Sequence, residues 1–415
     1  MPEKLFILQL FWNPTGEKNK EYTMKKLKTE MLGMSFPNPF LLSAGPPTAN
    51  GSMVIKAFKA GWGGAVLKTI GLVPTPHTSP RVHTIRSGRN KRGMLDIELI
   101  SDIPIKQWEN EIDRIKDAFP HRPLIASIMG GGKPHDWQEV VRRLEPHGVD
   151  GFEMNASCPN YAEERGGKLG QDPESLAEAV QWVRAATRLP LIVKLTPNVT
   201  DIVSLAQIAV QAGADALTAC NSLTGLGGID IENFTPLPAV KGRGMIGGYG
   251  GPGLKPVTLR CTASIAQTLD IPIFGCGGIE KWHDAAEYLA VGASAVQICT
   301  AVMWNGVQII EKLSQGLAGY LEQQGFTGPA DMKGRALSSI GTWNDLDSSW
   351  KMLAEIDDQR CNGCGFCVKA CDSGGYQAIE MEGKLARIDY LKCDGCGLCV
   401  GVCPPEAIIM QHRQD

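Results

Sequence analysis

Glu174-Ser-Leu-Ala-Glu-Ala-Val-Gln-Trp-Val-Arg-Ala-Ala-Thr187, then Arg-Leu, then Pro190-Leu-Ile-Val-Lys194-Leu-Thr196, is the stretch whose reading decides the fold. Leu176, Ala179, Val180 and Val183 recur at helical spacing, so residues 174–187 are predicted to form an amphipathic helix. Pro190 ends that pattern and opens a short apolar run rich in branched side chains, the mark of a buried strand. The same helix–strand alternation recurs along the chain. Eight strands are predicted, at Phe40–Gly45, Gly64–Ile70, Pro123–Met129, Gly151–Ser157, Pro190–Thr196, Ala216–Ser222, Pro272–Gly278 and Ala295–Ala301. Helical patterns lie at 54–60, 201–212 and 256–269, and Val307–Gln324 closes the series. Eight parallel strands with crossover helices make a (β/α)8 TIM barrel of class α/β, and this strand count favours it over an open doubly wound sheet.

In a barrel the carboxyl ends of the strands carry the active site, and here those ends are polar. They read Lys68-Thr69, Asn155-Ala-Ser157-Cys158-Pro-Asn160, Lys194-Leu-Thr-Pro-Asn198, Asn221-Ser222, Gly277-Gly278 and Cys299-Thr300. A lysine inside Leu191-Ile-Val-Lys194-Leu is costly unless it meets negative charge. One such lysine is explained by a structural ion pair, but two lysines converging with amides and a thiol on one rim point to a site. Gly277-Gly278 and Gly247-Gly-Tyr-Gly-Gly251-Pro-Gly253 offer unobstructed backbone amides where barrels usually cradle phosphate.

Eight of the thirteen cysteines lie beyond residue 360, in two runs. They are Cys361-x-x-Cys364-x-x-Cys367-x-x-x-Cys371 and Cys393-x-x-Cys396-x-x-Cys399-x-x-x-Cys403-Pro404. This is two-cluster ferredoxin spacing, in which the fourth cysteine of each run ligates the other cluster. One [4Fe–4S] cluster is expected on Cys361, Cys364, Cys367 and Cys403, and the second on Cys393, Cys396, Cys399 and Cys371. Zinc ribbons use paired C-x-x-C units instead. A phosphate cradle beside iron–sulfur clusters points to FMN.

The domains expected are an N-terminal extension (1–25), an FMN-binding barrel (26–325), a linker (326–358) and a two-cluster ferredoxin-like domain (359–415). Residues 1–23 do not fit the pattern of the barrel, and Met24 is a candidate start. Lys4–Trp12 is apolar but short, and no small-residue cleavage site succeeds it, which argues against a signal peptide. The net charge of −3 makes no case for nucleic acid or an anionic membrane. No apolar run is long enough to span a bilayer. Oxygen-sensitive clusters and five further cysteines argue for a reducing cytoplasm.

Residues 35–315 resemble the flavin barrel of the dihydropyrimidine dehydrogenase family and of the related class 1 dihydroorotate dehydrogenases. The resemblance is carried by Ala60-Gly-Trp-Gly63 with Lys68-Thr69, Ile97-Glu-Leu-Ile-Ser101, Ile125-Ala-Ser-Ile-Met129, Asn155-x-Ser-Cys-Pro159 and Gly170-Gln-Asp-Pro-Glu174. It continues through Lys194-Leu-Thr-Pro-Asn-Val-Thr-Asp-Ile-Val203, Gly277-Gly-Ile279, Gln297-x-Cys-x-Ala-Val302 and, in the tail, Gly375-Tyr-Gln-Ala-Ile379. The fused two-cluster tail favours the pyrimidine-reducing branch in its bacterial two-subunit form. The resemblance implies that Cys158 is the general acid. It implies FMN held by Ala44, Lys68, Thr69, Lys194, Gly251, Cys276, Gly277, Gly278, Cys299 and Thr300, and substrate held by Asp96, Asn155, Ser157, Asn221 and Ser222. A thiol suits the acid role because its usual pKa of about 8.5 leaves it protonated at neutral pH. Cys220, Cys261 and Cys276 read as core or backbone-packing residues, and Cys299 as touching the cofactor through its backbone.

The chain departs from the family at two places. Asp96 stands where the family has a substrate-binding asparagine, and the loop after Cys158 reads Pro159-Asn-Tyr-Ala-Glu-Glu-Arg165 rather than Pro-His-Gly. No G-x-G-x-x-G opens a βαβ unit, so electrons are expected from a partner flavoprotein subunit binding FAD and NAD(P)H. The family implies a homodimer within a heterotetramer. The activity expected is reduction of the 5,6 double bond of uracil or thymine, or its reverse. Two alternatives are a dihydroorotate-dehydrogenase-like or other cyclic amide or enoyl oxidoreductase, and a non-catalytic electron-transfer subunit.

Overall fold

The computed structural model describes residues 25–157 and 169–412. The N-terminal extension up to residue 24 and Cys158 with the loop after it lie outside the described residues. The chain divides into two compact units, Met1–Ser338 and Ser339–Asp415.

The first unit is a closed barrel of eight parallel strands. They are β1 (Phe40–Leu42), β2 (Gly64–Val66), β3 (Leu124–Ile128), β4 (Gly151–Asn155), β5 (Leu191–Lys194), β6 (Ala216–Ala219), β7 (Ile273–Cys276) and β8 (Ala295–Ile298). Consecutive strands pair, and β8 closes on β1. Each is followed by a helix: α1 (Gly51–Ala60), α2 (Ile105–Ala118), α3 (Pro134–Leu144), α4 (Pro173–Ala186), α5 (Ile202–Gln211), α6 (Lys255–Thr268), α7 (Trp282–Ala290) and α8 (Ile309–Gln323). Asp172 caps α4 by accepting the Ser175 amide at 2.8 Å, and Pro173 occupies the first turn, where its missing N–H costs nothing. Leu176, Ala179, Val180 and Val183 form the buried face of α4.

Strand periodicity explains where the site sits. One set of alternate strand residues packs outward under the helices, as do Phe40 and Leu42 of β1. The other set points inward. Its lower layer is apolar, with Leu41, Val66, Ile125, Ile192, Ala216, Phe274 and Ala295 packed on Met31, Met34 and Phe36 of an N-terminal hairpin. Two residues further along, the inward position turns polar on every strand: Ser43, Lys68, Ser127, Glu153, Lys194, Thr218, Cys276 and Gln297. The barrel interior is therefore sealed with hydrocarbon below and is polar above.

The expected strands run on into these polar residues, whereas the regular ladder of β2 stops at Val66 because the chain leaves the cylinder to line a cavity. Missed at the sequence level is a four-stranded antiparallel sheet built from insertions after β2 and β6. It pairs Val82–Ser87, Asn90–Asp96, Gly247–Gly250 and Leu223–Gly225. Here Gly248 lies opposite Asp96, so glycines expected to serve only as a phosphate cradle also carry this sheet.

The second unit is small. Met352–Ile356 pairs with Ile408–His412, and Ile379–Glu382 pairs with Leu385–Ile388. The stretch 326–358, expected as a linker, thus contributes a strand to the second unit, because Ala354 packs with Ile379, Ala386 and Ile408 in its core. Short 3-10 turns at Pro329–Met332, Leu337–Ser339 and Trp343–Asp345 fill the rest of that stretch. Among the described residues no helix is long and apolar enough to cross a membrane.

Candidate active site and iron–sulfur centres

A cavity of about 1050 Å³, counting the part open to solvent, lies at the carboxyl ends of the barrel strands. Ala44, Lys68, Thr69, Lys194, Gly251, Cys276, Gly277, Gly278, Cys299 and Thr300 all line it, as do Asp96, Asn155, Asn221 and Ser222. Ser157 lies one hydrogen bond away, its Oγ accepting from Asn221 Nδ2 at 3.0 Å. Cys158 comes directly after Ser157 but is outside the described residues.

Both lysines have carboxylate partners that sequence reading did not pick out. Lys194 Nζ is 3.4 Å from Glu153 Oε1 and donates to Ser43 Oγ at 3.1 Å and to Gln297 Oε1 at 3.3 Å. The second oxygen of Glu153 accepts from Thr218 Oγ1 at 2.8 Å and from Gln297 Nε2 at 2.6 Å. Five strands thus tie one wholly buried network across the barrel. Burial alone would lower the Lys194 pKa, but the charge and hydrogen bond of Glu153 outweigh it and hold the ammonium above its ordinary range. Lys68 Nζ meets Glu98 Oε1 at 2.5 Å, and the other Glu98 oxygen takes the Arg81 guanidinium. Burial presses up on the Glu98 carboxyl, yet Lys68 and Arg81 bring it below its usual value. The signal that could have revealed these partners is the inward parity of Glu153, two residues before Asn155 on β4.

On one wall the amides form a chain. Asn155 Nδ2 donates to Thr69 Oγ1 at 3.0 Å, Asn155 Oδ1 accepts from Ser157 Oγ at 3.1 Å, and Asn221 Oδ1 accepts the Ser222 amide at 2.8 Å. Facing the cavity from the overlying sheet is Asp96, whose Oδ1 accepts the Glu98 amide at 2.7 Å. Burial pushes its pKa up to about 6, against the pull of the Glu98 amide and the Lys68 charge. Burial also pushes the Cys299 thiol up to about 12, with Asp96 adding to the effect. Cys220 and Cys261 are buried in the core, and Cys220 also reaches the cavity wall.

At the other end of the cavity, Gly278 has φ +70°, and a Cβ there would lie 2.8 Å from the Lys255 backbone nitrogen. Only glycine lets the loops after β6 and β7 come so close. The resulting cradle of backbone beside Thr300, with a buried ammonium and amides further in, fits a flavin mononucleotide. Its phosphate would sit on the glycine loops and its ring beside Lys194.

The second unit presents two smaller cavities. One, of about 310 Å³, is lined by Cys361, Cys364, Cys367 and Cys403. The other, of about 340 Å³, is lined by Cys371, Cys393, Cys396 and Cys399. The fourth thiol has crossed over in each case. The two halves repeat each other closely: the Ala378 amide donates to Cys371 Sγ at 3.2 Å and the Ala407 amide to Cys403 Sγ at 3.3 Å. Such N–H to sulfur bonds stabilise cluster thiolates. Gly395, at φ +75°, passes so close to the Met352 carbonyl that a Cβ would overlap it. Burial pushes the Cys399 thiol up to about 11, and the neighbouring Cys393 and Cys396 add to the effect. Four thiols around each cavity, with amides aimed at sulfur, fit two [4Fe–4S] clusters.

Fold and sites together define an FMN and iron–sulfur oxidoreductase of the TIM-barrel class acting on CH–CH bonds. The chain belongs to the dihydroorotate dehydrogenase family, which it matches over residues 26–321, and residues 354–410 match the 4Fe-4S dicluster domain. It is 37% identical over 365 residues to the NAD-dependent dihydropyrimidine dehydrogenase subunit PreA of Escherichia coli strain K12, covering 87% of this chain and 89% of that one. It is also 37% identical over 315 residues to the catalytic subunit of dihydroorotate dehydrogenase B (NAD(+)) of Pyrococcus horikoshii, covering 75% of this chain and 98% of that one. Among solved structures, the ligand-free DHODH of Eimeria tenella superposes with a TM-score of 0.63 at 21% identity, over 75% of this chain and 92% of that one, a likeness of fold.

Proposed function

We propose that this chain is the catalytic subunit of a two-subunit dehydrogenase that reduces the 5,6 double bond of a pyrimidine base, or runs the reverse reaction. One observation carries the reading: a single chain joins a cavity suited to FMN and a small amide ring to a unit suited to two [4Fe–4S] clusters. The Escherichia coli relative, matched over 87% of this chain, is named for dihydropyrimidine dehydrogenase. The relative named for dihydroorotate leaves a quarter of this chain unmatched. A dihydroorotate carboxylate would also have to share the cavity with the charge of Asp96.

FMN would be held by Ala44, Lys68, Thr69, Lys194, Gly251, Cys276, Gly277, Gly278, Cys299 and Thr300. When bound, it would supply hydride transfer to or from the substrate and one-electron exchange with iron–sulfur clusters. The chain's own residues do the rest. Glu153 keeps Lys194 protonated, and that fixed charge favours added electron density beside it. Asn155, Ser157, Asn221 and Ser222 present amides and hydroxyls, which read the alternating N–H and C=O edge of a pyrimidine. Cys158 delivers the proton to the ring carbon that does not take the hydride. The iron–sulfur unit admits electrons from a partner flavoprotein that binds FAD and NAD(P)H. Two catalytic chains and two partner chains make the expected assembly, and the cytoplasm is its expected place.

Anaerobic reduction of the purified holoprotein, then addition of pyrimidines, tests the reading. Bleached flavin absorbance should return on adding substrate, and NADH alone should reduce the chain slowly until a flavoprotein partner is added. Absence of flavin from a protein that carries both clusters would instead indicate an electron-transfer subunit.

A further inference from the structure

The iron–sulfur unit is an internal repeat: Asp357–Asp372 and Asp389–Pro404 align without a gap. The same bond opens each half. The Cys361 amide donates to the Asp357 carbonyl at 2.9 Å, and the Cys393 amide to the Asp389 carbonyl at 3.0 Å. Cys364 and Cys396 are both exposed, and Cys367 and Cys399 are each 7% exposed. The amides of Ala378 and Ala407 donate to sulfur at matching distances. Burial and sulfur hydrogen bonding, two of the factors that set a cluster's reduction potential, are therefore nearly equal around the two cavities.

Charge is not equal. Asn362 of the first half corresponds to Asp394 of the second. Asp394 lines the cavity of Cys371, Cys393, Cys396 and Cys399, and the Tyr376 hydroxyl on the same wall donates to it. Among the described residues lining the other cavity, no side chain but the thiols is ionisable. Asp372 repeats the bias. It follows Cys371, whose thiol has crossed to the Asp394 side, whereas uncharged Pro404 follows Cys403 on the other side. The other unmatched charges of the aligned halves do not offset it. Asp358 is paired with Arg387 at 2.5 Å, and Lys369 stands midway in sequence between Cys367 of one set and Cys371 of the other. Just past the repeat, Glu406 faces Arg360 at 3.8 Å.

A fixed negative charge beside a cluster opposes the arrival of an electron. We propose that the two clusters are unequal carriers. Asp394, supported by Asp372, makes the cluster of Cys371, Cys393, Cys396 and Cys399 the harder one to reduce. The first electron to enter the unit therefore rests on the cluster of Cys361, Cys364, Cys367 and Cys403. The Asp394 cluster fills last and empties first, which makes it the stronger reductant of the two. No bond is made or broken. Each cluster takes one electron from a reduced flavin of the partner, and the two together hold the pair that a two-electron reduction consumes. This ordering rests on the electron-carrying role proposed for the unit and is independent of which pyrimidine is reduced.

The test is an anaerobic potentiometric titration of the full chain with FMN and both clusters, followed by electron paramagnetic resonance of the reduced clusters. Two cluster steps of one electron each are expected. Asp394→Asn should ease the lower-potential step by about ten-fold in its equilibrium constant, about 59 mV for one electron, and leave the higher step in place. Asp372→Asn should move the same lower step in the same direction, by less. Asn362→Asp should instead move the higher step down. Iron of about eight per chain in each variant would show that both clusters are intact. A shift of the higher step on Asp394→Asn would overturn the proposed order. No shift of either step in any of the three variants would overturn the role of charge and leave the electron-carrying reading standing. About four irons or fewer in the wild-type chain would overturn the two-cluster reading itself.

Discussion

The iron–sulfur unit and the barrel cavity gather their functional groups in opposite ways. In the first, three thiols of each set come from one short run, and the backbone between them leaves little choice of placement. Only Cys371 and Cys403 arrive from the other run. In the barrel, Ser43 meets Gln297 across 254 positions of sequence, and Lys194 meets Ser43 across 151. Local spacing therefore specifies the first site, while closure of the barrel specifies the second. A defect in one site should stay within it, and substitutions in each site can test that separation.

The sharpest test is Cys371→Ala. Cys371 belongs in sequence to the first run but lines the cavity of the second. The variant should lose the cluster on Cys393, Cys396 and Cys399, with iron falling from about eight per chain to about four. Partner-driven turnover should vanish while FMN is retained. Loss of the cluster on Cys361, Cys364 and Cys367 instead would mean that the crossover is wrong.

Next is Cys158→Ala. FMN and iron content should be unchanged, and turnover should drop by about 10²–10⁴-fold, the usual worth of a general acid. Single-turnover flavin reoxidation is the step to time. A wild-type rate there would remove Cys158 from the acid role.

Glu153→Gln probes the buried network. It leaves the Lys194 ammonium without its carboxylate in a site that is 4% exposed. Breaking such a pair costs about 3–5 kcal/mol, to be read from the urea midpoint of the barrel transition. FMN should dissociate more readily, and iron content should stay at the wild-type level. A matching loss of iron would show that the two units are not independent.

The smallest effect is that of Asp96 on stability. Its folded pKa, about 6, lies above the ordinary 3.8. The unfolded chain therefore releases this proton first as pH rises, and the folded state loses relative stability between about pH 4 and 6. The full contribution is up to about 3 kcal/mol at about 1.4 kcal/mol per unit. The stability gap between Asp96→Asn and wild type should widen in favour of the variant across that window. A constant gap would mean that the carboxyl is solvated.

The features that the sequence alone determined come from period and spacing. Leu176, Ala179, Val180 and Val183 mark a helix face because 3.6 residues make a turn, and eight apolar runs mark eight strands because buried parallel strands tolerate little else. The cysteine spacing marks the clusters because three ligands of a cubane can come from one tight loop. The polar strand ends mark the rim, since the fold places every strand's carboxyl end on one face. Tertiary structure alone decided which groups pair. Glu153 looked like one charge in a strand, and Glu98 like part of a motif, until closure brought them to Lys194 and Lys68. The overlying sheet was equally hidden, because Gly247–Gly250 has no side-chain pattern to read and its partner strand lies more than a hundred residues earlier. Asp96 owes its raised pKa to that sheet: burial is a property of everything packed around a carboxyl, and no local run of residues encodes it.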